Sequence, residues 1–409
     1  MELLMRGMLV ASLTLLCPGG RALDWQFSVD ARFVLADATR SYLDGGLGKF
    51  RYNDGATAQV GRARLALDQH LGDSLRLHID ASTWGDKDKH PFDLTEAFIE
   101  YRSYPHNAWR TRLRLGAFYP AASLENRASG WETPYSINPS ALTSWLGEEI
   151  RSIGVEASID HLGTKRGNAL DWGLFSGLFC CNDPAGTLIA THGFALSDRQ
   201  TTLNGRVGPD ANVPVNGRQL FYEIDRRAGY YAGANLKYLD RLEVRAMHYD
   251  NRADPTQPKP SIRDYAWLTK FNTVGIRYET SRELTMLAQW LKGDTTVAPY
   301  GLALVWNFDS WNILASERWG AHGLTLRYDR FTVSQTINAF GPAAQRDHGN
   351  AWTLAYIYDP DESHWRFVAE ATRADSLSTD REALLGAAPQ AIESKLELSA
   401  RYALSGRWP

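Results

Sequence analysis

The fold of this chain is decided most clearly by a late stretch, QAIESKLELSARYAL at residues 390–404. Apolar and polar side chains alternate along it. One face carries Ile392, Leu396, Leu398, Ala400, Tyr402 and Leu404. The other face carries Glu393, Lys395, Glu397, Ser399 and Arg401. A helix repeats its apolar positions every three to four residues and a strand every two, so the stretch is predicted to be a β-strand with one apolar and one wetted face.

The same alternation recurs from Trp25 onward. The first predicted strand runs to Leu35, with apolar residues at odd positions and Gln, Ser, Asp and Arg at most even ones. The turn Leu71-Gly72-Asp73-Ser74 joins two alternating stretches, which predicts an antiparallel hairpin. In the strand at 95–102, Thr95 is predicted to share the apolar face with Ile99. Further strands are predicted at about 110–119, 150–160, 170–181, 228–239, 241–250, 265–279, 283–292, 300–317, 321–333, 350–358 and 363–374.

Connections between these strands alternate in length. Those near 38–55, 120–148, 182–227, 251–264, 334–349 and 375–389 are long, whereas those at 239–240 and 280–283 are short. Short turns at one rim and long loops at the other are typical of outer-membrane barrels. The predicted fold is therefore an all-β, transmembrane antiparallel β-barrel with short periplasmic turns and long extracellular loops. Sixteen strands fit, and eighteen would fit if region 200–226 added a hairpin; either number leaves a water-filled lumen.

The composition agrees with a barrel. The 409 residues include 14 Trp, 18 Tyr and 34 Gly, and the mean hydropathy is negative, because only one face of each strand would meet lipid. The net charge of −3 provides no basic field, so nucleic acid is not predicted as a partner. Aromatic residues toward strand ends predict interfacial girdles; they are Trp25, Tyr119, Tyr230, Tyr238, Tyr278, Trp290, Trp352, Tyr358, Trp365 and Tyr402.

Residues 1–22 are predicted to be a cleaved signal peptide, leaving 23–409 as the barrel. Arg6 precedes an apolar run that ends near Leu16 and is too short to cross a bilayer as a helix. Gly20 and Ala22 provide the small residues of a cleavage site. Cys17 leaves a lipid anchor as the alternative. An exported barrel of this kind is predicted to reside in the outer membrane of a Gram-negative cell and to contact its lipid.

The sequence contains no motif for catalysis or metal binding. Gly-x-Ser-x-Gly, His-Glu-x-x-His and phosphate-loop patterns are absent, and no His is paired with Cys or carboxylates at ligand spacing. No catalytic residue, metal, cofactor or enzymatic activity is therefore predicted. Cys180 and Cys181 are adjacent; a vicinal bridge is one interpretation, and two unbridged small residues are the favoured one.

Several stretches resemble the phosphate-selective porin O and P family of outer-membrane channels. They are LTEAFIEYR at 94–102, LRLGAFYP at 113–120 running on to Leu124-Glu125, GEEIRSIGV at 147–155 and LTLRYDRF at 324–331. The resemblance implies a 16-stranded homotrimeric barrel with a loop folded inward as a constriction and arginines lining the lumen. The chain departs from such barrels at its end, where Trp408 is followed by Pro409 instead of a terminal aromatic residue.

Arginines dominate the predicted inward face of the early strands. If the apolar positions meet lipid, alternation sends the arginines into the lumen, since a slip of one residue would cost about 2–4 kcal/mol for each one near the bilayer midplane. Arg side chains stay charged and bind phosphate or carboxylate oxygens in pairs. The predicted anion-binding, pore-lining residues are Arg32, Arg62, Arg64, Arg76, Arg110, Arg112 and Arg114. The alternative is that neighbouring acids such as Asp30 and Asp80 pair with them and brace the wall.

The segment 120–149 is predicted to fold inward as the constriction loop. It offers both charge signs and aromatic surface. Its candidate pore residues are Glu125, Arg127, Glu132, Tyr135 and Trp145. The alternative places this loop outside, at a subunit contact or on the rim.

The predicted function is passive diffusion of small hydrophilic solutes, with a preference for anions such as phosphate. A non-selective diffusion porin is the first alternative. The second is a secreted, soluble, carbohydrate-binding β-protein, although a sandwich core would not accept so many charges on one strand face, and no repeat of about 40 residues indicates a propeller.

Overall fold

The alternating stretches form sixteen strands that close into one barrel. The computed structural model describes residues 23–86, 92–208, 218–259, 264–280, 283–341, 345–360 and 363–408. Each barrel strand pairs antiparallel with its neighbours in the chain, and the first strand pairs with the last, from Leu23 opposite Trp408 to Asp37 opposite Ser394. The prediction of a sixteen-stranded closed barrel is confirmed. The predicted signal peptide at 1–22 lies outside the described residues.

The strands are numbered here in chain order around the barrel. Their bounds are β1 Leu23–Asp37, β2 Gly55–Leu71, β3 Leu75–Thr83, β4 Asp93–Arg102, β5 Trp109–Phe118, β6 Ser152–Leu162, β7 Leu170–Cys180, β8 Gly229–Tyr238, β9 Leu242–Asp250, β10 Leu268–Glu279, β11 Leu284–Val297, β12 Leu304–Trp319, β13 His322–Asn338, β14 Arg346–Tyr358, β15 Trp365–Ser378 and β16 Gln390–Trp408. Three helices lie in the long loops: α1 Ala141–Glu149, α2 Thr187–His192 and α3 Thr379–Leu385. Within the described ranges, no helix is long and apolar enough to cross a membrane.

The region 200–226 does not add strands to the barrel. Among its described residues, it contributes a short ribbon in which Arg206–Val207 pairs with Arg218–Gln219. A second ribbon joins Pro258–Lys259 to Asp264–Tyr265. The eighteen-strand alternative is therefore wrong.

Two bulges in the early strands adjust which side chains face inward, and a third lies between β12 and β13 at Val305 and Trp306. At the first, Asp30 pairs with Arg62 and Ala31 with Val60, so Gly61 is the extra residue. A side chain at Gly61 would collide with the Arg32 side chain, since an added Cβ would lie 2.4 Å from its Cγ. At the second bulge, Asp80 pairs with Glu96 and Ala81 with Leu94.

The second bulge corrects the prediction for Thr95. Its hydroxyl donates to the Asp80 carboxylate at 3.0 Å, so Thr95 lies among the buried inward groups and not on the apolar face with Ile99. The reason is that a bulge adds one residue on one strand only and shifts the alternation there.

The outer face of the barrel is apolar and exposed, as a lipid-facing wall requires. Exposed side chains on it include Phe27, Phe33, Leu113, Leu115, Ile276, Met286, Ile313, Leu326, Leu354, Leu396 and Leu398. The alternate positions are buried or face the lumen. In β16, for example, Glu393, Lys395 and Glu397 are 0–3% exposed. This inversion, with apolar groups outside and charges inside, is incompatible with a water-soluble sandwich.

Three long loop segments, 38–54, 119–151 and 181–208, enter the barrel and pack together there. Their residues Phe50, Trp145, Ile189 and Phe194 belong to one buried cluster with inward side chains of the wall, including Phe271, Phe308 and Phe331. Of these three segments, only 120–149 was predicted to fold inward. A signal for the third loop exists in the apolar run Thr187–Ala190, which would be unusual on a solvated loop.

Candidate functional site: an arginine-lined lumen

The seven arginines singled out in the sequence all point toward the inside of the barrel. Each makes its ion pairs with carboxylates of neighbouring inward positions or of the internal loops. They fall into two groups that differ in exposure. The covered group, Arg32, Arg62 and Arg64, lies beneath the internal loops, and the water-facing group is Arg76, Arg110, Arg112 and Arg114.

The covered arginines are saturated with partners. Arg32 contacts Asp30 at 2.6 Å, Asp198 at 2.8 Å and Glu397 at 2.6 Å, and its side chain is 2% exposed. Arg64 pairs with Asp80 and donates to the Ser129 hydroxyl of the second internal loop at 2.7 Å.

Arg62 connects the barrel wall to that same loop. It donates to the Ser82 hydroxyl at 2.8 Å and pairs with Glu132 at 2.9 Å. The cavity between Arg62, Trp131 and Gln200 measures only about 20 Å³. Together with the saturation of Arg32 and Arg64, this close packing places the covered group in a structural role.

The water-facing arginines keep part of their surface free. Arg112 is 32% exposed and Arg110 22%, with partners Glu156 at 3.3 Å and Asp160 at 3.0 Å. Arg114 is flanked by Glu100 and Glu156, both at 3.4 Å, and lies against the Phe118 ring. The contacts of Arg112 and Arg114 are longer than those of the covered arginines, whereas Arg110 is paired closely with Asp160.

Strands β9 and β10 and the second internal loop add three more arginines. Arg127, Arg245 and Arg277 all approach the carboxylate group of Glu243, at 2.5, 3.0 and 3.9 Å, and Arg277 pairs more closely with Glu279. Arg112 and Arg127 are both within electrostatic range of Arg245. The residues Arg110, Arg112, Arg114, Arg127, Arg245 and Arg277 are called the luminal arginine cluster below.

Sequence reasoning identified four members of this cluster and missed two. Arg245 and Arg277 were overlooked, although both occupy inward positions of strands that alternate as clearly as β5 does, between Val244 and Ala246 and between Ile276 and Tyr278. Extending the same alternation test to β9 and β10 would have found them.

Sharing of carboxylates gives the cluster its electrostatic character. Glu243 is shared by three guanidinium groups and Glu156 by two. The Nε atoms of Arg112 and Arg245 make no hydrogen bond within the described residues. A site in which acceptors are fewer than donors favours an anion that supplies further oxygen acceptors.

A cavity of about 720 Å³ opens on the short-turn side of the barrel. Its inward lining includes Asp68, His70, Arg76, Glu100 and Arg102. Arg76 pairs with Asp68 at 2.5 Å and remains 35% exposed. Arg76 thus lines a mixed-charge vestibule and does not belong to the luminal arginine cluster.

The segment 120–149 lies inside the barrel and is held by carboxylates of the far wall. The backbone N–H groups of Ile137 and Asn138 donate to Glu370 at 2.7 and 3.1 Å. The N–H of Ala141, at the start of α1, donates to Asp329 at 3.0 Å. All nine residues of α1 are buried. The loop therefore narrows the lumen.

The predicted constriction residues occupy different environments. Arg127 pairs with Glu243. Glu132 pairs with Arg62 and with Arg401. These partners are all inward side chains of the barrel wall. Glu125, in contrast, is fully buried and accepts from the Ser140 N–H at 3.0 Å. Glu125 therefore anchors the loop instead of facing a water path.

The two aromatic candidates are also buried. Trp145 packs edge-on against Phe271 with ring centroids 5.3 Å apart. Tyr135 packs with Leu287 and Leu314. Their environments show that aromatic residues of this loop fix its position in the lumen.

Tyr119 is not part of an aromatic girdle. It is 4% exposed, follows β5 into the lumen and stacks on Trp131 with ring centroids 4.2 Å apart. The prediction that placed it at the membrane interface is wrong, because the chain turns inward directly after Phe118 and takes Tyr119 with it.

Two adjacent glutamates of α1 are buried among the internal loops. Glu148 accepts from the Tyr42 hydroxyl at 2.6 Å. Glu149 accepts from Trp145 Nε1 at 2.5 Å and from the Leu188 N–H at 2.8 Å. Burial raises the pKa of each carboxyl to about 7. Hydrogen bonds to the two carboxylates lower these pKa values, but by less than burial raises them.

Three carboxylates of the third loop region gather into a group that the sequence analysis did not foresee. Oxygen atoms of Asp183, Glu223 and Asp225 lie within 4.8 Å of one another, and burial raises the pKa of Asp183 to about 7. Oxygen donors of this type suit hard cations such as Ca²⁺. Nearby, Cys180 and Cys181 are joined in a vicinal disulfide, so the favoured interpretation of two unbridged cysteines is wrong.

Known proteins resemble the chain in fold. No protein-family model matches the sequence, and no curated protein matches it. The outer membrane channel DcaP of Acinetobacter baumannii is similar with a TM-score of 0.55 at 11% identity, over 95% of this chain and 99% of that one. The in-vitro folded outer membrane protein OmpT of Vibrio cholerae, in its trimer form, gives 0.52 at 12% identity, over 93% and 99%.

A third solved structure is an anion-selective porin from Comamonas acidovorans. It gives a TM-score of 0.50 at 13% identity, over 94% of this chain and 100% of that one. Identities this low establish a shared architecture and leave solute and selectivity open. The chain therefore has the fold of outer-membrane β-barrel porins.

Proposed function

We propose that this protein is an outer-membrane porin that passes small hydrophilic solutes by passive diffusion, with a preference for anions such as phosphate. The observation that carries the proposal is the luminal arginine cluster, in which three guanidinium groups share Glu243 and two share Glu156. The apolar outer wall supports placement in a membrane, and the similarity to outer-membrane channels supports the outer membrane as its location.

The mechanism is electrostatic attraction combined with steric sieving. An anion that enters loses part of its hydration shell, and a guanidinium group replaces it with two parallel N–H donors. Arg112 and Arg245 offer such donors from two walls of the lumen, and Arg127 offers them from the internal loop. Since arginine stays charged at any physiological pH, the preference needs no cofactor, metal or catalytic residue.

A non-selective pore is the second candidate, and the ion pairs favour it. Arg76 with Asp68 and Arg110 with Asp160 are paired at 3.0 Å or less. If such pairs neutralise the charge of the lumen, the pore would exclude solutes by size alone and not by charge. The similarity to an anion-selective porin and the resemblance to phosphate-selective porins support the anion preference over this candidate.

We also propose export through a cleaved signal peptide and assembly as a homotrimer. The trimer form of a similar barrel supports the assembly, and the residues 1–22 support the export.

A planar bilayer experiment tests the proposal. The purified protein is expected to form channels whose reversal potential, under a gradient of KCl, has the sign of chloride permeation. Replacing chloride with phosphate on one side should preserve that sign. A cation-selective reversal potential would contradict the anion preference, and a zero potential would favour the non-selective pore. Absence of channels, together with solubility without detergent, would contradict the porin itself.

A further inference from the structure

The outer wall carries unpaired cations on one part of its circumference. On β1–β8, the outward positions hold no Lys or Arg within the described residues. On β10–β15, Lys270, Lys292, Arg330 and Arg373 point outward. None of these four makes an ion pair in the described part of the chain, whereas most inward arginines do. Lys270 and Lys292 lie opposite the outward carboxylates of Asp294 and Asp309. The residues opposite Arg330 and Arg373 on the neighbouring strands carry no charge, so these two arginines are available to an external anion.

These cations lie next to outward aromatic residues, at the level where a membrane becomes polar. Trp290 and Tyr328 precede Lys292 and Arg330 by two residues on the same strands, a distance of about 7 Å. Trp352 of β14 pairs with Arg373 of β15. Trp and Tyr prefer the membrane–water interface, so the cations are at head-group height, on the side of the long loops.

Arg330 lines a cavity of about 360 Å³ in the outer wall between β13 and β14. The other polar lining groups are the Thr332 hydroxyl, the His348 ring and the Asn350 amide, and Tyr328 forms part of its edge. Arg330 pairs with Asn350 and Thr332 with His348 across the two strands. No carboxylate lines this cavity among the described residues. Four groups able to donate hydrogen bonds thus converge here, and the outward carboxylates nearest in the strand register, Asp309 opposite Thr332 and Asp375 opposite Asn350, lie outside the lining.

We propose that this cavity binds the phosphorylated head group of a membrane glycolipid. This inference rests on the proposed location in the outer membrane. Guanidinium, hydroxyl, imidazole and amide donors together match the oxygens of a phosphate monoester. The site opens onto the lipid-facing wall and not onto the lumen, so its occupant is a membrane component. The acyl chains of the same lipid would lie along the exposed wall below, which includes Leu326 and Leu354.

Native mass spectrometry of the full-length protein in detergent micelles tests this site. The probe is bis-phosphorylated lipid A, compared with the same lipid after removal of both phosphates. Wild-type protein is expected to retain the phosphorylated lipid with at least about tenfold higher affinity, since one good charge-assisted contact corresponds to about that factor. The Arg330→Gln variant should lose this advantage, and Arg330→Lys should keep part of it.

Arg318 provides the matched control. It is an exposed arginine near the short-turn end of β12, outside the cavity, so Arg318→Gln should bind lipid A as the wild type does. Equal retention of both lipids, or undiminished binding by Arg330→Gln, would overturn the proposal. Displacement by millimolar inorganic phosphate would also overturn it, because it would assign the cavity to free anions.

The lipid experiment is independent of conduction. Arg330→Gln should conduct as the wild type does, because its side chain is on the other side of the wall from the lumen. If the protein forms no channels but still binds lipid A through Arg330, the porin proposal fails and the lipid site stands. Should Arg330→Gln fail to fold, judged by heat-modifiable migration, Asn350→Ala provides the second variant. Its unchanged affinity would count against the site.

Discussion

The covered arginines and the water-facing arginines follow the same sequence pattern but differ in exposure and in ion-pair partners. Arg32 is 2% exposed and contacts three carboxylates within 2.8 Å. Arg112 is 32% exposed and has one carboxylate at 3.3 Å. Strand alternation puts both side chains inside the barrel, and the internal loops cover only the first. Facing the lumen is therefore not sufficient for lining a water path.

The difference shows how this barrel divides its charges. Beneath the loops, arginines and acids neutralise each other and hold 119–151 and 181–208 in place, as Arg62 does with Glu132 and Arg32 with Asp198. In the uncovered part, carboxylates are shared among several arginines. The first arrangement stabilises the packed loops, and the second favours anion binding. Substitutions in the two groups should therefore differ in their effects on stability and on selectivity.

Removal of a covered arginine should have the largest effect. Arg32→Ala leaves Asp30, Asp198 and Glu397 buried without their shared cation, which should lower the free energy of unfolding by about 3–5 kcal/mol. Arg112→Ala should cost less than about 1 kcal/mol because the Arg112 side chain is partly exposed and Glu156 keeps Arg114 and the Tyr231 hydroxyl as partners. Urea unfolding in lipid vesicles measures both. Equal decreases in the free energy of unfolding for the two variants would contradict the distinction between the covered and the water-facing group.

Selectivity should depend on the water-facing group. The triple variant Arg110→Ala, Arg112→Ala and Arg114→Ala is expected to lose the anion preference, with the reversal potential moving to zero or to the cation side. Replacement of the same three residues by Lys keeps the charge and should keep the sign of the potential, although not the paired donor geometry. Anion selectivity unchanged in the Ala variant would remove the cluster as the selective element.

Substitution of Glu243 should change the anion preference in the opposite direction. Glu243→Gln removes the carboxylate shared by Arg127, Arg245 and Arg277, so anion preference should rise, by about twofold in the permeability ratio if the relief amounts to about 0.4 kcal/mol. The same bilayer recording measures it. Glu132→Gln serves as a comparison, since its partners Arg62 and Arg401 lie at the covered part. A decrease in anion preference for Glu243→Gln would contradict the sharing argument.

The smallest expected effect concerns pH. Burial raises the pKa of Glu148 and Glu149 from 4.5 to about 7, so the packed loop binds their protons more tightly than an exposed loop would. Loop packing is therefore fully stabilised below pH 4.5 and loses that contribution as pH rises through 7. Current noise should be greater at pH 8 than at pH 5.

The double variant Glu148→Gln and Glu149→Gln is the control for that pH dependence. Neutral amides cannot ionise, so its noise should be the same at both pH values. A pH dependence that persists in the double variant would assign the titration to other groups.

Local pattern accounts for most of the architecture. The strand count, the inward direction of Arg110 and Arg112 and the lipid-facing direction of Leu113 follow from a period of two. The errors have local physical causes. Thr95 was misplaced because a bulge shifts the alternation by one residue, and Tyr119 because the strand ends at Phe118 and the chain turns inward.

The candidate site was less accessible to sequence reasoning. Arg127 was identified as a loop residue, but its meeting with Arg245 and Arg277 around Glu243 joins positions more than 100 residues apart. Contacts across a lumen follow no short period, since they depend on how far each loop enters the barrel.

The sequence by itself therefore determined the barrel and, away from bulges and strand ends, which side chains face inward, because bilayer on one side and water on the other impose alternation residue by residue. Only the tertiary structure decided which inward charges meet water, which anchor a loop and which share a carboxylate. Those outcomes depend on three loops packing together inside the cylinder, where burial and charge pairing are properties of the assembled interior and not of any single strand.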